Sequence, residues 1–393
     1  MGPLEGVRII EMAGLGAVPF AGMLLSDMGA EVIRIDRLAQ PQPGSDGYES
    51  QWRSADPHAY VMNRGRRSVA VDLRIDAGKE LVLDLAARAD VLIEGFRPGV
   101  MERLGLGPDV CGQRNLRLVY ARLTGWGQQG PLAQTAGHDL TYLAVTGLLR
   151  TLARPGERPV TPTGLLADLA GGGLMAAFGV VCALHEVNRS GQGQVVDAAM
   201  VDGVASLTAM LHSLMAQGRW RDEPGVNFAD GGAPFYDVYE AADGGYVVLA
   251  ALETKFYDEF LERAGLDAGQ IPSRDDTEQW PALRKILADV FRKRTRAEWQ
   301  AVFDDTDACV APVLSLTEAL QHRHLSARET FTTRWGLAQP APCPRFSRSQ
   351  PELNRPPAIP GADSRSVLID WAIDPSVVDH LQQLGVVSPQ NEC

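Results

Sequence analysis

The chain has 393 residues, 45% hydrophobic and 22% charged, an ordinary globular composition whose length exceeds the usual span of one hydrophobic core, so two domains are expected. A formal net charge of -12 argues against a general nucleic-acid binder, which needs a basic footprint to displace phosphate counterions. The five cysteines (Cys111, Cys182, Cys309, Cys343, Cys393) are odd in number and widely spaced, without the paired spacing of a zinc site or a redox dithiol, and read as free thiols of a cytoplasmic protein.

The opening Met-Gly-Pro-Leu-Glu lacks the basic and apolar regions of a secretory signal, and no export is expected. Val7 to Met12 reads as a strand, Pro19 to Met28 as a helix with proline near its start, and Glu31 to Ile35 as a second strand, which makes a βαβ unit. Gln40 to Asp56, rich in Pro, Gly, Ser and Asp, is a loop longer than such a unit needs. Ser68 to Leu73 (strand), Gly78 to Ala89 (helix), Asp90 to Glu94 (strand), Val100 to Leu104 (helix) and Leu116 to Leu123 (strand) continue a doubly wound, Rossmann-like α/β pattern. Leu165 to Leu184 is long enough to cross a bilayer and holds a single charge, Asp168. Its polar continuation, His185 to Arg189, favours a buried core helix, so no membrane partner is expected.

Val195 to Gln217 reads as a second long apolar helix, and Arg221 to Pro234 breaks the pattern with Gly and Pro. The expected division is therefore a large α/β domain over 1-220 and 331-393 and a smaller α+β domain, with linkers, over 221-330. The smaller domain shows strands at Phe235 to Glu240 and Gly245 to Ala250 around an Asp243-Gly244 turn, then helices near Lys255 to Ala264 and Pro281 to Lys293. A proline-rich stretch beyond Phe331 precedes a final helix at Pro375 to Leu384.

Gly14-Leu15-Gly16-Ala17-Val18-Pro19 after the first strand, with Asp36 ending the second, imitates a dinucleotide fingerprint. Pro19 stands where a third glycine should permit close packing, and Arg37 follows the acid, so a tight strand-to-helix turn is the better reading. Arginines gather in Arg64-Gly65-Arg66-Arg67, Arg74, Arg97 and Arg37. Their recurrence beside strand ends points to phosphate binding in the crevice of a parallel sheet, although each singly is equally well a solvated charge.

His138, between Gly137 and Asp139 at the start of a helix, is either a capping histidine or a group that moves a proton near neutral pH. Asp168 must be desolvated or partnered at the head of its apolar helix. It serves there as an N-cap or as a catalytic carboxylate close to spare backbone donors, and the two roles are compatible. Glu253, by spacing alone, is a solvated residue at a helix start.

The segments 29-37, 93-99 (Ile-Glu-Gly-Phe-Arg-Pro-Gly), 124-128 (Thr-Gly-Trp-Gly-Gln), Gly137-His138-Asp139, 167-173 (Ala-Asp-Leu-Ala-Gly-Gly-Gly) and 193-200 resemble the family III CoA transferase superfamily, most closely its alpha-methylacyl-CoA racemase branch. The resemblance covers nearly the whole chain. It implies an interlocked homodimer acting on acyl-CoA substrates, with His138 and Asp168 as the acid/base pair and Glu253 supporting His138. It further implies coenzyme A contacts from Arg37, Val71, Asp72, Leu73, Arg74, Arg97 and the Gly137, Asp139, Leu140, Thr141 and Tyr142 stretch. In transferases of the superfamily an aspartate at the Asp168 position is instead the acyl-carrying nucleophile, and an aromatic residue usually stands where this chain has His138. The expected activity is thus inversion at C2 of a 2-methylacyl-CoA through an enolate, with no metal or redox cofactor required. Transfer of CoA between acids is the alternative, and a nucleotide-binding oxidoreductase or CoA carrier is a third reading from a different class.

Overall fold

The structure, a computed structural model, describes residues 2-38 and 56-389. The loop expected over 40-56 lies, but for Asp56, outside the described residues, as does Cys393. The chain divides into two compact units, one of residues 1-146, 162-207 and 329-393, the other of 147-161 and 208-328.

The first unit is built on β1 (Arg8–Met12), β2 (Glu31–Arg37), β3 (Arg67–Val71), β4 (Val91–Glu94), β5 (Val119–Thr124) and β6 (Val195–Ala199). They form one parallel sheet in the order β3-β2-β1-β4-β5-β6. Strands covered on both faces read as continuous apolar runs, as in Ile9-Ile10 and Val91-Leu92-Ile93. One face packs on α2 (Asp76–Ala86) and on the C-terminal helices Ser364–Asp370 and Pro375–Gln383. The other packs on α1 (Ala17–Asp27) and α4 (Met175–Ser190). Strand order reverses between β1 and β4, so a crevice opens at the carboxyl ends there.

Two sequence expectations are corrected. Val195 to Ala199, read as the start of a helix, is the edge strand β6; the helical part is α5 (Met200–Leu207) followed by Ala209–Ala216. The Gly193 N-H donates to Leu116 O (2.7 Å), which lays the β-branched Val195-Val196 alongside β5. The apolar run from Leu165 does not begin as an α-helix either. Leu166–Leu174 is a π-helical segment that leads into α4. A Cβ on Gly173 would stand 2.7 Å from Ala17 O, so the absence of a side chain is what lets this segment lie against α1.

Arg64, Arg66 and Arg67, read as a phosphate-binding group, are occupied within the fold. Arg64 makes a two-pronged pair with Asp27 (2.6 and 3.1 Å), Arg66 faces Glu11 (3.1 Å), and Arg67 bonds Glu31 (2.6 Å) and Asp370. The first two pairs are almost wholly buried. Arg64 also donates to Gln339 (3.0 Å) and Pro340 O (2.9 Å), tying down the hairpin of β10 (Phe331–Arg334) and β11 (Leu337–Pro340) in the proline-rich stretch.

The second unit holds the antiparallel sheet β7 (Tyr236–Glu240), β8 (Tyr246–Ala250) and β9 (Val310–Pro312), with helices Thr254–Ala264 and Trp280–Phe291. Its core is aromatic, with Tyr239 stacked on Phe291 and Trp299 on Phe303.

Candidate active site

A cavity of about 870 Å³ opens at the carboxyl ends of β1, β2 and β3. Arg37, Val71, Asp72, Leu73 and Arg74 line it, as do Gly14, Leu15, Tyr60, Asn63 and Phe96. Arg37 is exposed and has no ion pair among the described residues, whereas Arg74 is bonded to Asp72 (2.6 Å). Asp36 also lines the cavity, but its Oδ2 already accepts from Arg34 Nε (2.7 Å) and Ser68 Oγ (2.6 Å). That carboxylate oxygen is held between β2 and β3. Arg97 is exposed after β4, again without an ion pair among the described residues.

His138 caps α3 (Asp139–Val145) in an extended conformation, and its imidazole is exposed on this unit. The His138 N-H donates to Thr141 Oγ1 (2.9 Å), and that hydroxyl donates back to His138 O (2.6 Å), which locks the turn. Tyr142 is buried beneath it. A Cβ on Gly125 or Gly137 would lie 2.0 or 2.5 Å from the Tyr142 side chain, and Trp126 meets its ring edge-on at 4.9 Å. Leu140 is exposed.

Asp168 is the third residue of the π-helical segment and is not its cap. The cap is supplied from α3: Asp139, 6% exposed, accepts at Oδ2 from Ala167 N (2.7 Å) and Asp168 N (3.0 Å). This tie escaped the sequence reading because its partners are 28 and 29 residues apart. The Asp168 carboxylate itself receives no hydrogen bond among the described residues and faces the N-terminus of α1, where a Cβ on Gly16 would stand 3.3 Å from Oδ2. Burial, then the negative charge of Asp139, push its proton affinity up to about 6, against the opposing pull of His138. The charge on Asp168, added to burial, carries the Tyr142 phenol to about 12.

At the head of α1 the Ala17 and Val18 amides have no side-chain cap, and Pro19 removes the next donor. Gly16 has φ +65°, and its backbone lies beside the Tyr60 phenol, whose proton affinity it lowers against the rise that burial causes. Gly16 stands out in the sequence only as part of a strand-to-helix turn, and Tyr60 not at all; only the fold brings Gly16 beside the carboxylate and Tyr60 to the cavity. Glu253 belongs to the second unit, where it is the exposed N-cap of Thr254–Ala264.

Neither His138 nor Asp168 lines the strand-end cavity; an exposed imidazole and, on the neighbouring segment, a carboxyl raised to about 6 on a doubly wound α/β unit are the groups an enzyme that moves protons requires. The family model for CoA-transferase family III matches residues 4-364, and the chain belongs to that family. It is 45% identical to alpha-methylacyl-CoA racemase of Mus musculus over 96% of this chain and 91% of the relative. It is 41% identical to the Homo sapiens protein of the same name over 97% and 92%. Among solved structures, a CAIB/BAIF family protein from Brucella suis superposes with a TM-score of 0.80 at 23% identity, covering 94% of this chain and 99% of that one.

Proposed function

We propose that this protein is a racemase that inverts the C2 stereocentre of 2-methylacyl-CoA thioesters. The observation that carries the reading is the placement of His138 and Asp168 on two segments joined through Asp139, with the His138 charge acting on the Asp168 carboxyl. A proton beside a thioester is weakly acidic. Its removal needs a base against it and donors for the enolate oxygen that receives the electron pair.

In one direction Asp168, ionised, takes the C2 proton, and His138, protonated, returns one to the opposite face. In the other direction the roles exchange. A carboxyl raised to about 6 holds a proton more readily than an ordinary carboxylate, so near neutral pH it can give one up as well as take one. The uncapped amides of Ala17 and Val18 are donors available to an enolate oxygen forming near Asp168. In this reading coenzyme A lies along the cavity with Arg37, Val71, Asp72, Leu73 and Arg74, and Arg97 with Gly137, Leu140 and Thr141 of the turn completes its contacts.

The subunits pair as an interlocked homodimer. In support, Leu174, Phe178 and Val181 form an exposed apolar row along the π-helical segment and α4, surface that a second copy would cover. Sedimentation equilibrium gives the mass that checks this.

The test of the reaction is proton NMR of an enantiopure 2-methylacyl-CoA in deuterated water, with enzyme and no acceptor acid. Deuterium entering at C2 with loss of optical purity supports the racemase. Turnover that requires an acceptor acid, without C2 exchange, replaces it with CoA transfer through an Asp168 acyl-enzyme.

A further inference from the structure

The resemblance places Asp139 among the coenzyme A contacts, but its surroundings assign it different work. Its side chain is buried below the His138 turn, and Oδ2 is spent on the amides of Ala167 and Asp168. Oδ1 is also buried and has no partner among the described residues. A contact with a soluble ligand requires an accessible atom, and neither oxygen is one. The geometry points to Asp139 as a positioning residue for the acid/base pair: its carboxylate fixes the peptide that carries Asp168 directly below the His138 turn.

Three observations converge. The π-helical segment begins without a cap of its own, so the first amides would be orphaned in a buried setting were Asp139 absent. Asp139 directly follows His138 in the chain, so a single residue couples the height of the imidazole turn to that of the Asp168 peptide. The like charge also has few competitors. His138 opposes it, and Tyr142 faces the same carboxylate as a neutral phenol. From the other elements packed on the segment, Asp27 of α1 is paired with Arg64 and Arg122 of β5 with Glu94. Asp197 of β6 accepts from Gln128 N, and Asp202 of α5 is exposed.

The inference rests on the proposed role of Asp168 as a base, and the experiment keeps the two apart. Full-length wild type, Asp139→Asn and Asp139→Ala are labelled with ¹³C at aspartate carboxyls, and Asp168→Asn assigns the Asp168 signal. Circular dichroism and thermal melting report folding. Asparagine keeps an oxygen for both amides but removes the charge. The expected result is that Asp168 titrates near 6 in wild type and roughly one pH unit lower in Asp139→Asn, as loss of a nearby like charge dictates.

The acid limb of kcat/KM for C2 exchange moves down with it, and KM for acyl-CoA holds within about twofold. Alanine, which loses the tie as well, lowers kcat at least about 100-fold through misplacement of the base, and asparagine recovers most of that loss. An unchanged Asp168 titration in a folded Asp139→Asn protein overturns the inference, even if racemase activity is confirmed. A variant that raises KM and leaves kcat and the pH profile in place does so too, and returns Asp139 to coenzyme A binding. Absence of C2 exchange in wild type ends the racemase reading, while the carboxyl titration still decides the place of Asp139.

Discussion

Gly16 and Asp168 lie against each other at the head of α1, and the space between them is tight: a β-carbon on Gly16 would stand 3.3 Å from Asp168 Oδ2, so the carboxylate would have to give way by a few tenths of an ångström. Gly16 also holds φ +65° with ψ -105°, a sparsely populated conformation that costs other residues about 1-3 kcal/mol. Gly16→Ala is therefore expected to lower stability by about that amount in urea unfolding. It should lower C2 exchange further than the folded fraction accounts for, because the methyl group enters the space beside the carboxylate. Exchange that only tracks the folded fraction would place Gly16 outside the reacting region.

The pH dependence of exchange follows from Asp168. Its folded proton affinity is raised to about 6, so the base form is lost as pH falls through that value. The kcat/KM for the enantiomer deprotonated by Asp168 is expected to fall about tenfold for each pH unit below 6. Stopped-flow or NMR exchange rates between pH 4.5 and 8 check this, and an acid limb near the ordinary carboxyl value of 3.8 contradicts it.

Stability carries the opposite mark of the same shift. A carboxyl whose folded value lies above its unfolded one destabilises the fold when ionised, a penalty absent below about 3.8, growing to about 6 and complete above it. Asp168→Asn is expected to abolish exchange and to raise Tm at pH 8, with the gain disappearing below about pH 4. Melting curves of both proteins across that range decide it.

Arg64 and Asp27 are a structural pair, and removing one partner leaves the other charged in a dry site. Arg64→Ala is expected to cost about 3-5 kcal/mol in chemical denaturation. It should also release the β10-β11 hairpin, visible as faster amide exchange at Gln339 and its neighbours.

Arg37 and Arg97 behave otherwise, being exposed and without ion pairs among the described residues. Arg37→Ala and Arg97→Ala are expected to alter stability by less than about 0.5 kcal/mol, as surface changes do. KM for acyl-CoA should rise about tenfold, with a weaker salt dependence than wild type. Calorimetric titration with coenzyme A at two ionic strengths separates this from a purely solvated role.

Much of this protein is written locally. Buried strands such as Ile9-Ile10 and helices such as Asp76–Ala86 carry their own periodicity, so the α/β order of the first unit and the β7-β8 hairpin of the second were legible in the sequence, as were His138 and Asp168 as chemically unusual positions. What depended on distant partners was not. Val195–Ala199 is a strand because β5 offers it an edge, and Arg64, Arg66 and Arg67 are internal because Asp27, Glu11, Glu31 and Asp370 meet them. Asp168 is freed from capping because Asp139 caps in its place. Side-chain chemistry and period are properties of a short stretch of chain, whereas the partner that satisfies a buried charge or an orphaned amide is chosen only when the tertiary fold brings separated segments into contact.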